Sequence, residues 1–476
     1  MKRIVNELGK LNWRKRAYAV FVLCATMAIA LPAQTFNTLF SFDGTDGAMP
    51  EGALVQGTDG DLYGQTEAGG AYGYGTVFKI TTGGKLTTIY SFCSSPQTGC
   101  PDGEGATGLV QAANGDFYGT TLGGGVAGGQ HGFGTVFRIT AGGKLTTLYD
   151  FCSQTNCTDG SVPNGLVQAA NGDFYGTTGQ SGANNAGTVF RITPAGTLTT
   201  LYSFCSQSGC PDGYDPLGNL VQATNGDFYG TTWGGGANNG TGTVFKITPA
   251  GTLTTLVTVG GYPSGTLIQA TNGDLYGTNS RGTVFKMTPG GTLTTLGTVC
   301  CYSYYGLVQA TDGNFYGTTY EGGANSCGGY GCGTLFKMTP ADTLTTLYNF
   351  CSQTNCTDGD LPLAALMQAT NGSLYGTTPY GGAYGDGTVF SLGVGLGPFV
   401  ETRPTSGKVG AAVKILGTNL ADATSVSFNG TPATFTVNSS GSAISTTVPA
   451  GATTGTVQVV TSSGSTLSSS VPFRVP

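Results

Sequence analysis

Short hydrophobic segments alternate with glycine-rich turns along most of the chain, and the same four segments recur in the same order seven times. A representative copy, within residues 165–204, reads GLVQAANGDFYGTT and then GTVFRITPAGTLTTLYSF. The segments are rich in Val, Thr, Tyr, Phe and Leu, which is the composition of β-strands. No 3.6-residue period competes with this pattern, so each copy is predicted to form four strands rather than helices.

The turns between the segments indicate how the four strands of a copy are connected. Asn-Gly or Asp-Gly joins the first two segments, and it accepts the positive φ angles of a tight hairpin at low cost. Pro-Ala-Gly or Gly-Gly joins the third segment to the fourth, so each copy is predicted to be an antiparallel meander. The tyrosine of the second segment recurs every 40 to 59 residues, the range of propeller blades, at Tyr63, Tyr118, Tyr175, Tyr229, Tyr276, Tyr316 and Tyr375.

The two ends of the repeat array complement each other. The seventh copy has its first three segments, within 366–392, but no LTTLYSF segment follows them, and a similar segment, FNTLFSF, stands at 36–42. Pairing of these two ends would remove the open sheet edges. The sequence therefore predicts an all-β fold, a seven-bladed β-propeller of four-stranded blades in which the N-terminal strand closes the last blade. A stacked solenoid is the alternative, but it would need capping ends, which the sequence does not show.

The loops fall into two classes, which a propeller would place on opposite faces. The Asn-Gly-Asp and Pro-Ala-Gly turns barely change from copy to copy, and we call their side the constant face. The loops from the second segment to the third, and from one copy to the next, vary in length and content, and we call their side the variable face. Because variation on a rigid scaffold usually accompanies binding, a ligand site is expected on the variable face.

The N-terminus has the pattern of a secretory signal. Six basic residues within positions 2–16 precede an apolar stretch from Ala17 to Ala30, which is too short to span a bilayer comfortably. Residues 1–33 are therefore predicted to be a signal peptide, cleaved after Ala30 or Ala33, and an uncleaved membrane anchor is the alternative. The mature chain is expected to be secreted or held at the cell surface, with the periplasm also allowed, and to have no transmembrane segment.

The charge balance bears on the class of partner. Cleavage would remove six basic residues and one acidic residue, Glu7, and would change the formal net charge from −6 to −11. An acidic surface repels phosphate backbones, so nucleic acid is not expected as a partner. The chain is expected to be a monomer whose partner is an extracellular glycan or a cell-surface protein.

Twelve cysteines follow the predicted signal peptide, and most form short-range pairs in the variable loops. With an export signal, these pairs are expected to be local disulfides rather than zinc sites, which prefer C-x2-C spacing. The adjacent Cys300 and Cys301 would form a vicinal disulfide or stay free. The disulfide candidates are Cys93 with Cys100, Cys152 with Cys157, Cys205 with Cys210, Cys327 with Cys332, Cys351 with Cys356, and Cys300 with Cys301.

Two family resemblances add to this picture. The repeated words LVQA, NGDFYGTT, GTVFKITP and GTLTTLYSF, across residues 36–392, resemble the GloVer repeat of exported bacterial proteins, which implies export but no established activity. Residues 398–476, with PTSGKVGAAVKILGTNL and VSFNGTPATF, resemble an IPT/TIG domain, an immunoglobulin-like β-sandwich that serves surface proteins as a spacer or adhesion module. The predicted units are a signal peptide at 1–33, a propeller at 34–396 and an IPT/TIG domain at 397–476.

The sequence lacks the common catalytic motifs. It contains no GxSxG, HExxH or Walker loop, and its single histidine, His131, lies in a glycine-rich loop, so no catalytic residue, metal ligand or cofactor is predicted. The glutamine in the first segment of each copy is expected to form hydrogen bonds between blades rather than to bind a ligand. The aspartates before glycine in the cysteine loops, Asp102, Asp159, Asp212 and Asp358, are expected to cap turns.

Residues that break the repeat on the variable face are the candidates for ligand binding. Carboxylates do so at Glu67, Glu104, Glu321, Asp215, Asp360 and Asp386. Aromatic rings on this face can stack on sugars or anchor a protein partner. The ligand-binding candidates are Trp233, Tyr320, Tyr380, Tyr72, Tyr74, Glu67 and Glu321.

The leading hypothesis is an exported, non-enzymatic binding or structural protein whose variable face meets a glycan or a cell-surface partner. It depends on the regular repeats, the missing catalytic motifs and the asymmetry of the loops. The alternative is a carbohydrate-active enzyme, a glycoside hydrolase or polysaccharide lyase on a propeller scaffold, whose paired carboxylates would come from Glu67, Glu104 and Glu321. A passive envelope component without a ligand is a third reading.

Overall fold

The computed structural model describes residues 34–475 except 127–131, 238–239, 264, 300–305 and 328. His131, the Cys300–Cys301 pair and the predicted signal peptide lie outside the described residues. The described chain is all-β, with three short 3₁₀ turns at Pro96–Thr98, Thr155–Cys157 and Thr354–Cys356. Within that described part, no helix is long and apolar enough to cross a membrane.

Residues 35–393 form seven four-stranded antiparallel sheets, which we number in chain order as repeat sheets 1 to 7. The chain begins with β1 (Thr35–Ser41). Repeat sheet 1 contains β2 (Val55–Gln56), β3 (Leu62–Thr66), β4 (Thr76–Ile80) and β5 (Leu86–Ser91). Repeat sheet 2 contains β6 (Glu104–Gln111), β7 (Phe117–Gly123), β8 (Thr135–Ile139) and β9 (Leu145–Asp150). Repeat sheet 3 contains β10 (Ser161–Gln168), β11 (Phe174–Gln180), β12 (Thr188–Ile192) and β13 (Leu198–Ser203).

The next four sheets repeat this order. Repeat sheet 4 contains β14 (Val221–Gln222), β15 (Phe228–Thr232), β16 (Thr243–Ile247) and β17 (Leu253–Thr258). Repeat sheet 5 contains β18 (Ile268–Gln269), β19 (Leu275–Thr278), β20 (Thr283–Met287) and β21 (Leu293–Thr298). Repeat sheet 6 contains β22 (Val308–Gln309), β23 (Phe315–Thr319), β24 (Thr334–Met338) and β25 (Leu344–Asn349). Repeat sheet 7 contains β26 (Met367–Gln368), β27 (Leu374–Thr378) and β28 (Thr388–Gly393), with β1 as its fourth strand.

The predicted pairing of the N-terminal strand with the last copy is present. β1 runs antiparallel to β28, with Phe40 opposite Val389 and Thr38 opposite Phe390. In repeat sheets 1 to 6 the fourth strand of the same copy takes this place, as β13 does beside β12. The structure is therefore a propeller-like repeat fold whose last sheet is built from both ends of the array.

The packing of the sheets explains why the FYG motif recurs. The phenylalanine of the third strand lies over the glycine of the second, so that a Cβ added to Gly176 would lie only 2.6 Å from the ring Cζ of Phe190. The tyrosine beside that glycine points to the next sheet, where Tyr118 stacks on Phe174 at a centroid distance of 4.2 Å. Burying each of these rings stabilises the fold by roughly 1.5–3 kcal/mol.

The hydrophobic core of the repeat region is divided into seven clusters, and each lies between two consecutive repeat sheets. One of them joins the last sheet to the first: Phe42, Tyr375 and Val389 from repeat sheet 7 pack with Leu54 and Phe78 from repeat sheet 1. Repeat sheets 1 and 7 are therefore neighbours in space, although about 300 residues separate them in the sequence.

The repeated glutamines link the first strands of neighbouring sheets, which confirms the predicted hydrogen-bonding role. Each Oε1 accepts a backbone N–H from the Asn-Gly turn of the preceding sheet. The seven bonds run from Thr58 to Gln111, Ala113 to Gln168, Ala170 to Gln222, Thr224 to Gln269, Thr271 to Gln309, Thr311 to Gln368 and Thr370 to Gln56, at 2.8–3.1 Å. The last of these again connects repeat sheet 7 with repeat sheet 1.

Residues 400–468 form two further four-stranded sheets that share one hydrophobic core. One sheet contains β29 (Val400–Arg403), β30 (Ala412–Gly417), β33 (Phe435–Val437) and β34 (Ala443–Thr447). The other contains β31 (Ala423–Phe428), β32 (Thr431–Ala433), β35 (Val457–Thr461) and β36 (Thr466–Ser468). Apolar side chains from both, including Ile415, Ile444, Val426 and Val459, meet in the core.

These C-terminal sheets lie against the Asn-Gly turns of the repeat sheets. Arg403 donates from Nη1 to the Gln56 carbonyl at 2.7 Å and to Gln111 Oε1 at 3.2 Å. Asn438 and Ser442 donate to the Thr58 carbonyl at 3.0 and 2.9 Å. Further contacts join Thr418 to Thr370 and Arg474 to Thr224. The C-terminal sheets thus cover part of the constant face.

Candidate functional site

The variable loops are fixed by local disulfides. Five are present among the described residues: Cys93–Cys100, Cys152–Cys157, Cys205–Cys210, Cys327–Cys332 and Cys351–Cys356. In the Cys152 loop, buried Asp159 accepts hydrogen bonds from the Ser153 backbone N–H at 3.0 Å and from the Tyr149 hydroxyl at 2.8 Å. The predicted turn-capping role of these aspartates is confirmed, because the hydrogen bonds are local ones that hold the loop.

In five of the seven copies, a strained turn leads from the variable loop towards the next sheet. The residue before the proline of this turn has a positive φ without being glycine, at Met49, Val162, Asp215, Tyr262 and Leu361, with φ between 51° and 57°. Such angles are costly, most of all for a β-branched side chain, and they persist where the surrounding structure imposes them. In repeat sheet 1 this turn places Glu51 two residues after Met49.

Two carboxyl groups meet where repeat sheet 1 faces the variable loops. Glu67 directly follows β3, and Glu51 lies shortly before β2. The two side chains are within hydrogen-bonding reach of each other. Burial, then the negative charge of Glu67 and the hydrogen bond with it, raise the pKa of Glu51 from 4.5 to about 7. At neutral pH Glu51 is therefore protonated in roughly half of the molecules.

The acid pair is a departure from the repeat. In the copies of repeat sheets 2, 3, 4 and 7, the position of Glu51 is taken by the uncharged residues Thr107, Asn164, Leu217 and Leu363. These copies fold into the same four-stranded sheets without a carboxylate there. The fold does not need Glu51, so a role of this residue other than folding is indicated.

Tyr380 approaches the acid pair from repeat sheet 7, and Asp360 lies beside Tyr380. The two residues are joined by a backbone hydrogen bond from Asp360 to Tyr380 of 3.1 Å. Burial raises the pKa of the Tyr380 hydroxyl, and the negative charges of Glu51, Glu67 and Asp360 raise it further. The Asp360 pKa is raised by its own burial and by Asp358. We call Glu51, Glu67, Tyr380 and Asp360 the acidic cluster.

The structure thus brings together two of the predicted ligand-binding residues, Glu67 and Tyr380, and adds Glu51, which sequence reasoning missed. The signal for Glu51 was available, since glutamate is rare in this chain and Glu51 interrupts an uncharged position of the repeat. The proximity of Glu51 to Glu67 could not be predicted from the sequence, because the two residues lie beside different strands and their distance depends on the strained turn at Met49.

The other candidates lie elsewhere on the repeat sheets. Trp233 and Tyr320 hold the position of Glu67 in their own copies, directly after β15 and β23, and Glu321 follows Tyr320. Trp233 stacks on Tyr262 at 4.9 Å, between repeat sheets 4 and 5. Tyr72 is half exposed in the loop after β3, where the Tyr74 carbonyl accepts the Gly105 N–H at 3.1 Å. These residues are spread over repeat sheets 1, 4 and 6.

A second group of side chains resembles a metal site by distance alone. The sulfur atoms of Cys327, Cys351 and Cys356 lie within 4.8 Å of one another. All three belong to disulfides, so none offers the thiolate that a metal ion requires. This group does not fit a metal centre.

The comparison with protein families identifies the family of the repeat. The model described as the Gloeobacter/Verrucomicrobia repeat matches residues 25–158, 128–301 and 278–461. The chain belongs to this family. The three windows of the Gloeobacter/Verrucomicrobia repeat together span all seven repeat sheets, and the third continues into the C-terminal sheets. A comparison with curated proteins finds no match.

Solved structures resemble this Gloeobacter/Verrucomicrobia repeat protein in fold. The extracellular domain of a putative hybrid two-component system from B. thetaiotaomicron is 12% identical, with a TM-score of 0.50 over 89% of this chain and 52% of that one. The extracellular domain of a putative one-component system from the same organism is 11% identical, with a TM-score of 0.50 over 93% and 59%. A fungal alcohol oxidase of the AA5 family in complex with copper is 13% identical, with a TM-score of 0.49 over 93% and 98%. This chain therefore spans little more than half of the two bacterial proteins.

Proposed function

We propose that this protein is an exported, non-enzymatic binding protein. Its seven repeat sheets would close into a seven-bladed propeller that binds a polyhydroxylated ligand, such as a cell-surface glycan, at the acidic cluster. The observation that carries the proposal is the acidic cluster itself, which breaks the repeat and lies on the face opposite the C-terminal sheets.

Closure of the propeller is supported by the completion of the last sheet and by two kinds of contact between that sheet and the first. β1 completes repeat sheet 7, the cluster around Phe42 packs the two sheets together, and Gln56 accepts a hydrogen bond from Thr370. Each contact has counterparts at the other six seams. Seven equivalent seams are what a ring of seven blades requires, whereas a solenoid would leave its two end sheets uncovered.

Export is supported by the signal-like N-terminus and by the disulfides, which persist in oxidising compartments. The C-terminal sheets would form an IPT/TIG domain of immunoglobulin-like type, as the words within 398–476 suggest. Its place against the constant face leaves ligand binding to the variable face. A spacer role, attaching the propeller to the cell envelope, fits this placement.

The acidic cluster favours binding over glycoside hydrolysis. The two carboxyl groups of a glycosidase stand roughly 5–10 Å apart, so that a sugar or a water molecule fits between them. Glu51 and Glu67 are close enough to share a hydrogen bond, which leaves no such space. Their oxygens and the Tyr380 ring are instead suited to accept hydroxyl hydrogen bonds and to stack on a sugar face.

Glycan-array binding of the exported full chain tests this function. Tyr380→Ala should weaken binding at least about tenfold, because it removes the aromatic surface beside the acid pair. Tyr330→Ala is the matched control, since Tyr330 is a variable-face tyrosine that is 72% exposed and lies in repeat sheet 6, and it should bind like the parent. No binding to any glycan or envelope fraction, or equal binding by Tyr380→Ala, would overturn the proposal.

A further inference from the structure

Gln65 is a buried side chain whose polar atoms are not satisfied. It is 1% exposed, and among the described residues neither its Oε1 nor its Nε2 has a hydrogen-bond partner. An unpaired buried amide destabilises the folded protein, so such groups in native proteins usually meet a water molecule, an ion or a ligand. Gln65 therefore indicates a missing partner.

The other copies show that this position does not require an amide. Threonine stands there in all six of them, at Thr120, Thr177, Thr231, Thr278, Thr318 and Thr377. Where its bond is resolved, the threonine hydroxyl donates to a carbonyl near the first strand of the next sheet, as Thr120 does to Asn164 at 3.0 Å and Thr377 does to Gly52 at 3.4 Å. The hydroxyl of Thr231 is buried without a partner, but the hydroxyls of Thr120, Thr318 and Thr377 are satisfied, and Gln65 replaces them with a longer side chain that the protein alone does not satisfy.

The Gln65 amide lies beside the acid pair. Gln65 lies near the end of β3, and Glu67 follows it by two residues, directly after the strand. On the other side, a Cβ added to Gly52 would lie 3.3 Å from Gln65 Nε2, and Gly52 follows Glu51 directly. Of the seven copies, repeat sheet 1 alone combines this glutamine with the two glutamates.

We propose that Glu51, Glu67 and Gln65 form a binding site for a divalent cation of the calcium class. The two carboxylates and the amide oxygen are hard oxygen donors, which calcium prefers, and sulfur or imidazole donors are not among them. Two carboxylates in contact repel each other, and a cation between them removes this repulsion. The orphaned amide gains the partner that it lacks.

This inference deepens the proposed function and rests on it for the role of the site. A calcium ion held at the acidic cluster keeps open coordination positions, because three side chains supply fewer than its 6–8 oxygen ligands. Vicinal hydroxyls of a sugar are a chemical class that can fill such positions. The ligand beside Tyr380 is thus expected to be bound through the cation.

Calorimetric titration of calcium chloride into the metal-free full chain tests the site without any glycan. One binding event is expected, with a Kd of about 0.1–1 mM, the range of extracellular calcium modules. Glu51→Gln and Glu67→Gln should each raise the Kd at least about tenfold. Gln65→Thr, which restores the residue of the other copies and so preserves folding, should also weaken binding. Asp342 lies in an exposed turn of the constant face, so Asp342→Asn is the matched control and should bind calcium like the parent.

The outcomes separate the two proposals. The proposed cation site would be overturned if calcium addition gave no heat of binding. It would also be overturned if Asp342→Asn lost as much calcium affinity as the site variants. Calcium binding that is lost in the three site variants supports it, whether or not a glycan is found. Glycan binding that persists in EDTA would overturn the role of the cation while leaving the proposed function intact.

Discussion

At the scale of single residues, Glu51 changes the response of the whole fold to pH. Its pKa of about 7 in the folded protein lies above the ordinary value of 4.5. Between these two pH values the folded protein binds a proton that the unfolded chain releases. Glu51 therefore contributes stability that is fully present below pH 4.5 and is lost as the pH rises through 7.

Glu51→Gln removes this dependence, because glutamine keeps the hydrogen bond to Glu67 but cannot ionise. Relative to the parent, the variant should gain on the order of 2 kcal/mol in unfolding free energy between pH 5 and pH 8. Urea unfolding at both pH values in EDTA measures the gain. A difference between variant and parent that is the same at both pH values would contradict the expectation.

Candidate ligand-binding residues could be predicted from the sequence where the other copies of the repeat provide a comparison. Glu67 was recognised as a carboxylate that breaks the repeat on the variable face, and Tyr380 was recognised as an aromatic residue on that face. Glu51 and Gln65 break the repeat too, but their importance depends on burial and on missing hydrogen-bond partners, which no single position in the sequence reveals. The stacking of Trp233 on Tyr262 likewise depends on how repeat sheets 4 and 5 pack, which neither residue reveals alone.

At the scale of strands and sheets, β1 replaces a fourth strand that the last copy lacks. Phe42 at its end lies in the same surroundings as Phe92 after β5. The Phe42 ring meets Phe78 edge-on at 5.2 Å, and the Phe92 ring meets Phe137 at 5.3 Å, with nearly equal interplanar angles of 65° and 64°. Both side chains are fully buried.

Phe42→Ala and Phe92→Ala should therefore destabilise the protein equally, by about 3–5 kcal/mol each, the usual cost of a phenylalanine-to-alanine cavity. Chemical denaturation compares the two, and each variant serves as the control for the other. A Phe42→Ala cost of less than about 1 kcal/mol would mean that β1 is a loosely attached arm rather than a strand of repeat sheet 7.

The sheets were predictable because they are repeated. Alternating segments, Asn-Gly turns and a missing fourth strand each indicate the same meander, so the four-stranded sheets and the pairing of β1 followed from the sequence. The contact of the C-terminal sheets with the constant face did not, because Arg403, Asn438 and Ser442 occur once and reach backbone carbonyls, which carry no sequence signal.

At the scale of the whole molecule, the contact of the C-terminal sheets with the constant face couples two units, the repeat sheets and the C-terminal sheets, which have separate hydrophobic cores. Arg403 is its central group: it is held by an ion pair with Glu401 at 3.0 Å and donates to two residues of the glutamine series. A hydrogen bond from a charged donor contributes about 1.5–3 kcal/mol. Arg403 bonds to both Gln56 and Gln111, so the coupling is expected to depend strongly on this side chain.

Arg403→Ala should therefore separate the unfolding of the C-terminal sheets from that of the repeat sheets. Differential scanning calorimetry should show two transitions in place of one. Lys408→Ala, an exposed lysine of the C-terminal unit, should unfold like the parent. A single unchanged transition in Arg403→Ala would show that the two units are joined by other contacts.

The place of β1 in repeat sheet 7 has a consequence for how the molecule is made. Synthesis delivers this strand first and its partner β28 some 350 residues later. Until β28 is synthesised, β1 has unpaired backbone amides and exposed phenylalanines, while the other six repeat sheets can already form. A chain that stops before β28 leaves β1 unpaired, so a chaperone or protease could distinguish this unfinished product from the complete protein by its exposed strand.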